Sequence, residues 1–534
     1  MSKSALFQNN TLEEIKTPVL VVGGSLVGLS AGLFLSFWEV PNIVIEKHEG
    51  SSLHPRAIGF TEHTMEFFSS VGIIDQIPRV ERGTRLRRAS CFSWASEWTE
   101  KAPWSGQKKA DASPQQEFSP FTGAAIPQDK LEPILRNRAV KLGCDLRQNT
   151  VLLGFEQNDD EVIATVLDQK TAHAYKIRAQ YMIAADGGKS SIRDDLQILQ
   201  KGRGYMQTIA SVLFRCPEAD EVLSRGIVQF EIDQPDLKAF LTTYNDGRWA
   251  LMFRDGLKRT SQELLDAIKK AVGRTDARIE IITTGQWDLN ALICESYSKG
   301  RVFLAGDSAH ALPPTRGGYG ANTGIDDVHN LAWKLKLVLL GKASHSLLDT
   351  YSTERQPIGW LRHQQTFARP DYAAFAQGCA SDEEIIDDAA MELGQLHVSK
   401  AICGPDDTAT AAKRPDLWQG QPGVRAPHVW VKRDGKDISM IELFNKHFVV
   451  LSQNEEWLTA TEKVSAALEL VIDFYLVGKD IVFHSGTDFE KTYGVDQYGA
   501  TLVRPDGIVG WRAKQKQHHP ISSLQEALNQ ILRP

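Results

Sequence analysis

Asp307 follows a short apolar stretch, Arg301 to Ala305, and precedes Pro313, Pro314 and three glycines in GRVFLAGDSAHALPPTRGGYGANTGIDDVHNLAWKL, residues 300–335. Those residue types at that spacing suit the binding of a phosphorylated cofactor. A carboxylate at the carboxyl end of a strand accepts hydrogen bonds from sugar-like hydroxyls. Gly317, Gly318 and Gly320 carry no side chain, so backbone N–H groups can approach a flat or anionic ligand. A helix starting near Asn322, with Ala321 before it, turns its positive end toward that ligand. A second run, TPVLVVGGSLVGLSAGLFLSF, has the strand, turn and helix of a dinucleotide site. Its turn is Gly23, Gly24, Ser25, Leu26, Val27 and Gly28, with Ser25 where the fingerprint has its middle glycine. Serine is small enough for the backbone to stay close to a pyrophosphate, so Ser25→Gly is expected to be neutral or slightly favourable for cofactor binding. Glu46, followed by Lys47, ends the next strand eighteen residues past Gly28. An acidic side chain there bonds a ribose hydroxyl and disfavours a 2′-phosphate. The third run, YMIAADGGKSSIR, carries a strand into Asp186, Gly187, Gly188, Ser190 and Arg193.

The elements that must position these residues form an α/β arrangement. The three runs are separated by segments without cofactor motifs, which predicts a discontinuous dinucleotide domain, residues 1–194 and 286–400, interrupted by an insertion at 195–285 that can also take in 85–125. In the insertion SVLFRC, GIVQFEI, KAFLTTY and RWALMFR have strand-like spacing, and YNDGRW supplies a turn. Trp249, Leu251 and Phe253 share one face by the two-residue period, a face that could be core or ligand pocket. A Pro/Gly/Asp-rich stretch at 401–427 reads as a linker to a last domain, 428–534. In that domain ATLVRPDGIVGWR has the turn residues of a hairpin. A cut near Pro405 is expected to leave a cofactor-binding core.

Together the three runs resemble one family, the FAD-dependent aromatic hydroxylases of the p-hydroxybenzoate hydroxylase type. The likeness extends to HPRA at His54 to Ala57, to Gln128 in PQDKLEPIL and to YSTERQP at Tyr351 to Pro357, and it spans roughly residues 17–360. The phrase LVRPDGIVGWR resembles the last domain of the three-domain phenol and polyketide hydroxylases. The resemblance implies a Rossmann-like FAD-binding domain, an inserted β-sheet substrate domain and a carboxyl-terminal thioredoxin-like domain, here lacking C-x-x-C. It implies FAD as resident cofactor, NADPH or NADH as transient reductant, and O2 as co-substrate. A flavin C4a-hydroperoxide would hydroxylate a phenolic or polyketide-like ring, as in antibiotic biosynthesis. By the same carry-over Arg56 lies near the flavin or meets the reductant, Gln128 and Asp186 join the cofactor set, Asp307 binds the ribityl chain, and Pro313, Pro314 and Thr315 lie near the flavin ring. Gln229, Tyr244, Phe253, Pro313 and Thr315 are candidates for lining the substrate pocket. No catalytic base stands out, and His310 is read as orienting its loop in preference to moving a proton.

Composition narrows the remaining classes. The 534 residues suffice for about three domains, and no apolar run reaches the roughly 18 residues of a membrane span. The amino terminus, MSKSALFQNNTLEEIK, lacks the apolar core of a signal peptide, so a cytoplasmic place is expected. A net charge of −7 gives no reason to bind nucleic acid. The six cysteines form no C-x-x-C pair, against a metal site or disulfide scaffold. An aromatic small molecule is the expected partner, with homodimerisation left open. Two other readings stand beside the hydroxylase: the same flavin chemistry used for Baeyer–Villiger insertion or antibiotic inactivation, and a non-catalytic flavin- or ligand-binding protein.

Overall fold

A computed structural model of the chain describes residues 12–54, 57–82, 88–91, 93, 96, 98–100, 117–221, 223, 227–314, 319–369, 384–405 and 410–534. Five parallel strands form its first layer, in the order Val302–Leu304, His173–Ala184, Glu14–Val22, Asn42–Glu46 and Asp145–Gln148. Val19 to Val22 are almost wholly buried, as a continuous apolar run must be when helices cover both faces of a parallel sheet. The helix Leu26–Phe37 packs so closely on this sheet that a Cβ at Gly32 would lie 2.7 Å from Val44 Cγ2. A long helix, Tyr319–Leu339, and its neighbour Ser346–Ala368 complete this part. Among the described residues no helix is long and apolar enough to cross a membrane.

The second layer is an eight-stranded sheet whose long strands are Gln200–Arg215 and Glu280–Cys294, followed outward by Arg248–Phe253, Leu237–Thr243 and Gln229–Gln234. Asn245 and Gly247, both with positive φ, make the tight turn before Arg248–Phe253. Strand alternation gives this sheet two unlike faces. Val212, Phe214, Leu241, Trp249, Leu251 and Phe253 pack against the helix Ser261–Val272 in one closed core. Phe253 therefore belongs to the core and does not line a pocket, which corrects the expectation for that residue. The alternating pattern defined the face, and only the position of the helix decided which face it covers.

The carboxyl-terminal sheet has the order Ile472–Leu476, Phe448–Ser452, Ala500–Val503 and Val509–Ala513, the first pair parallel and the others antiparallel. Its helices Glu456–Leu468 and Pro520–Leu532 share a buried cluster with Trp333, Leu337 and Leu347 of the first part. In the Arg504–Gly507 turn Arg504, Pro505 and Asp506 are buried and Gly507, at φ 78°, is half-buried, an uncommon place for a hairpin tip.

Candidate functional site

The turn after Val22 is built around two backbone approaches. A Cβ at Gly28 would lie 1.8 Å from the Gly23 carbonyl oxygen, and one at Gly23 (φ 107°) would lie 2.2 Å from the Ala185 carbonyl oxygen. Only glycine fits either position, so the helix start and the carboxyl end of His173–Ala184 close on the same small space. Gly24 N–H donates to Glu46 Oε2 at 2.6 Å, while the His48 N–H and ring Nδ1 engage Oε1 at 2.9 and 2.8 Å. Each carboxylate oxygen accepts more than one hydrogen bond, so Glu46 retains capacity for a sugar hydroxyl. Lys47 is exposed beside it, Leu26 is buried and Val27 half-buried.

Ser25 does more than fill a glycine's place. Its Oγ donates to Glu132 Oε1 at 2.7 Å, and Gln128 Nε2 donates to both Ser25 Oγ (2.9 Å) and Glu132 Oε1 (2.8 Å). Glu132 is 2% exposed, so these donors satisfy a buried carboxylate. Ser25→Gly would remove one of them, and the neutral outcome expected from residue size no longer follows.

Asp186 leaves the His173–Ala184 strand beside Gly23, and its Oδ1 is buried without a hydrogen-bond partner among the described residues. Burial raises its carboxyl above the ordinary range, against hydrogen bonds from Ser190 and nearby backbone N–H groups. Arg193 Nη1 donates to the carbonyl oxygens of Gly188 (3.1 Å) and Ser308 (3.5 Å), tying the Asp186 turn to the Asp307 turn. Asp307 itself is exposed at the end of Val302–Leu304. A Cβ at Gly324 would lie 2.5 Å from Val27 Cγ2 and 2.8 Å from Gly306 Cα, so the glycines at 306 and 324 let the Asp307 turn sit directly against the Gly23–Gly28 turn.

Asn322 Oδ1 accepts from Thr64 Oγ1 (2.6 Å) and Thr61 N–H (3.1 Å), and its Nδ2 donates to the Gly59 carbonyl (3.2 Å). The side chain thus pins residues 59–64 to the helix start. Gly320 and Ala321 are half-buried in the first turn, Pro313 is buried and Pro314 exposed. Arg56, Thr315, Gly317 and Gly318 lie outside the described residues. His310 is fully buried with Nε2 2.6 Å from Asp327 Oδ2, which locks it into the frame of its loop.

The second face of the large sheet looks toward the dinucleotide part. Leu213, Ala250 and Tyr244 cluster there with Ile58 and Met252, and register places Gln229 on the same face through Thr242 and Ala250. Gln229 Oε1 is buried without a hydrogen-bond partner among the described residues. On this face His54 Nε2 lies 2.7 Å from Ser211 Oγ, and the His54 ring meets Trp287 edge-on with centroids 5.8 Å apart. Gly285 leaves room for that imidazole, since a Cβ there would lie 3.4 Å from His54 Cδ2. Trp287 also lines a cleft of about 680 Å3 with Lys189, Tyr205, Met206 and Asp288, within the range of small-molecule sites. Sequence reasoning assigned no role to His54, Ser211 or Trp287. The alternation in SVLFRC, which sets Ser211 and Leu213 opposite Val212 and Phe214, was the available signal.

The two glycine cradles that a Cβ would fill, the ribose-competent Glu46 and the unpartnered Asp186 oxygen fit a flavin dinucleotide. Comparison with known proteins agrees. A family model described as FAD binding domain matches residues 16–366, and one described as aromatic-ring hydroxylase, C-terminal, matches residues 419–534. The chain is 35% identical to 4-methyl-5-nitrocatechol 5-monooxygenase of Burkholderia sp, covering 98% of each protein. It is also 35% identical to tetracenomycin A2 monooxygenase-dioxygenase of Streptomyces glaucescens, covering 97% of each. The solved complex of aklavinone-11 hydroxylase with FAD and aklavinone superimposes with a TM-score of 0.87 at 31% identity, over 98% of this chain and 100% of that one. Matched by one family model across more than half its length and by relatives from end to end, the chain belongs to the FAD-dependent aromatic-ring monooxygenases.

Proposed function

We propose that this enzyme uses NADPH or NADH and O2 to hydroxylate a phenolic or fused-ring, polyketide-like substrate at the seam between the dinucleotide part and the large sheet. The observation that carries this reading is the His54–Ser211 pair beside Trp287, a hydrogen-bonding and aromatic surface on the sheet face turned toward the cofactor turns. Relatives named for a nitrocatechol, for tetracenomycin A2 and for aklavinone support a ring substrate. FAD, when bound, supplies the redox and oxygen chemistry. The chain's own residues bind and orient. Backbone N–H groups of the Gly23–Gly28 turn receive the pyrophosphate, Glu46 a ribose hydroxyl and Asp307 the ribityl chain, with Gln128, Asp186, Pro313, Pro314 and the helix start Gly320–Asn322 around them. The His54 imidazole and Ser211 hydroxyl hold a phenol oxygen, Trp287 offers its ring to the substrate's, and Gln229 and Tyr244 close the same face. The 680 Å3 cleft beside Trp287 is the entrance. We read the carboxyl-terminal sheet, from its strand order, as thioredoxin-like, and take the protein to act in the cytoplasm.

Oxidation of NADPH and NADH by the yellow holoprotein, measured against a panel of phenols and fused-ring polyketides with product mass recorded, tests the reaction. The expected result is a compound that speeds oxidation and gains one oxygen atom; stimulated oxidation that yields only peroxide across the panel counts against it. For the site, His54→Ala is expected to lower turnover on the order of 100-fold, the usual scale for losing a proton-handling group, while flavin content stays normal. Turnover equal to the parent enzyme would remove His54 from the reaction. Asp307→Ala is expected to weaken FAD retention about tenfold or more, the scale of a lost charge-assisted hydrogen bond; unchanged occupancy after desalting would contradict the assignment.

A further inference from the structure

The Asp307 turn is held from behind by groups that touch no surface. Gly306 N–H donates to Asp327 Oδ2 at 3.2 Å, and His310 Nε2 lies 2.6 Å from the same oxygen. Arg355 Nε donates to Asp327 Oδ1 at 2.9 Å, and its Nη1 is 2.6 Å from Asp326 Oδ2. Arg355 and Asp327 have no exposed side-chain surface. Left alone, burial would raise the Asp327 carboxyl, but His310 and Arg355 outweigh it and hold the group below its ordinary range.

The residue before Arg355 points the other way. Glu354 accepts a bidentate pair from Arg504 of the carboxyl-terminal turn, at 2.8 and 2.9 Å, and also accepts from Lys334 Nζ (3.0 Å), Asn330 Nδ2 (2.8 Å) and Ser399 Oγ (2.8 Å). Asp506 completes the cluster, accepting from Arg504 Nε and from Trp333 Nε1 at 3.0 and 3.1 Å. Asp327, Asn330 and Lys334 stand three and four residues apart on Tyr319–Leu339, so they share one helix face. The result is one buried polar seam between two helices, with the Arg504–Gly507 turn at one end and the Asp307 turn at the other. A second tie runs parallel to it. Arg425 clamps Glu66 on the helix Glu62–Ser70, and Thr64 of that helix holds Asn322.

We propose that Glu354 and Arg355 are positioning residues through which the carboxyl-terminal turn holds the Asp307 turn in its cofactor-binding geometry. The cofactor half of this statement rests on the FAD assignment above. Buried ion pairs need close geometry on both partners to offset desolvation, so a shift of Arg504 moves Glu354, and the adjoining Arg355 cannot keep both aspartates without moving as well. The last domain, which has no C-x-x-C and no exposed titratable cluster on this turn, thereby acts on the flavin site without reaching it.

The test compares Arg504→Lys with Phe489→Leu, a change in a separate carboxyl-terminal cluster where Phe489 packs on Phe483 and Tyr493 and which includes no residue of the seam, in the full-length protein. Lysine keeps the charge and loses the bidentate fork. In flavin-free protein, amide exchange of residues 302–311 is expected to quicken about tenfold in Arg504→Lys and to stay unchanged in Phe489→Leu, with strands Gln200–Arg215 and Glu280–Cys294 unaffected in both. FAD is expected to bind about tenfold more weakly to Arg504→Lys alone. Unchanged exchange at 302–311, or an equal rise in all three segments, overturns the proposal. Faster exchange at 302–311 with parental FAD affinity sustains the coupling and overturns the cofactor role of the Asp307 turn instead. Should Arg504→Lys not accumulate as folded protein, Ser399→Ala, which removes one donor from Glu354, is expected to show the same pattern at two- to threefold.

Discussion

Ending the chain at Pro405 is expected to abolish the folded flavin-binding protein. The cut removes Arg504 and Asp506 while leaving Glu354 and Lys334 behind. The Lys334–Glu354 pair that remains loses the Arg504 fork that compensated its burial, and the opened face lets water into the cluster. The cut also exposes Trp333, Leu337 and Leu347, now packed against Phe448, Val450 and Trp457, at about 1.5–3 kcal/mol for each large side chain uncovered. Those losses are of the same order as the roughly 5–15 kcal/mol that holds a whole domain folded. The linker composition at 401–427 pointed to a separable unit, and the buried seam reverses that expectation. Expression of residues 1–405 followed by calorimetry decides it: a soluble monomer with a cooperative melt and bound FAD would show that the seam contributes little.

The second large effect is acid instability. Burial, with nearby arginines adding to it, lowers His63 and His428 to about 3, and it lowers His329, His363 and His397 to about 4. In the unfolded chain each titrates near 6.5. Between pH 6.5 and those folded values the unfolded state binds more protons than the folded one, so stability falls as pH falls. Glu62 opposes this. Burial raises its carboxyl to about 7, so the folded state gains a proton there while the unfolded state does not. The depressed carboxyls of Asp326, Asp327 and Glu354 lose their contribution only below the ordinary carboxylate range and stay out of this window. Five histidines outweigh Glu62 and Asp186, whose carboxyl burial also raises, and leave a net loss of about 3–5 kcal/mol from pH 7 to 5.5. Urea unfolding across that range measures it, and a stability that stays level would mean that the histidines become solvated before the chain unfolds.

Local chemistry was legible in the sequence. The strand, glycine turn and helix at residues 17–37 follow from apolar runs and from positions where only hydrogen fits, and each signal lies within a few residues of its cause. Glu46, Asp186 and Asp307 could be singled out for the same reason, because a residue at the carboxyl end of a strand in an α/β sheet faces the ligand side whatever the rest of the chain does. Asn245 and Gly247 likewise announced their turn. Phe253 shows where such reasoning stops. Alternation puts Trp249, Leu251 and Phe253 on one face, but which face is covered depends on the helix Ser261–Val272, whose docking is not encoded in the strand.

The same limit governs every contact between distant segments. Ser25 looked like a small stand-in for glycine until Glu132, more than a hundred residues away, proved to be its acceptor. His54 and Ser211 are 157 positions apart, and Glu354 and Arg504 are 150 apart. Sequence by itself determined the family, the cofactor turns and the periodic faces of the strands, since these arise from propensity, sterics and spacing along the chain. Tertiary structure alone decided which sheet face turns toward the glycine turns, which polar residues are buried together, and that the last domain is bonded into the flavin domain. Those outcomes depend on desolvating charges in pairs, and a charge in a sequence carries no mark of the partner that will bury it.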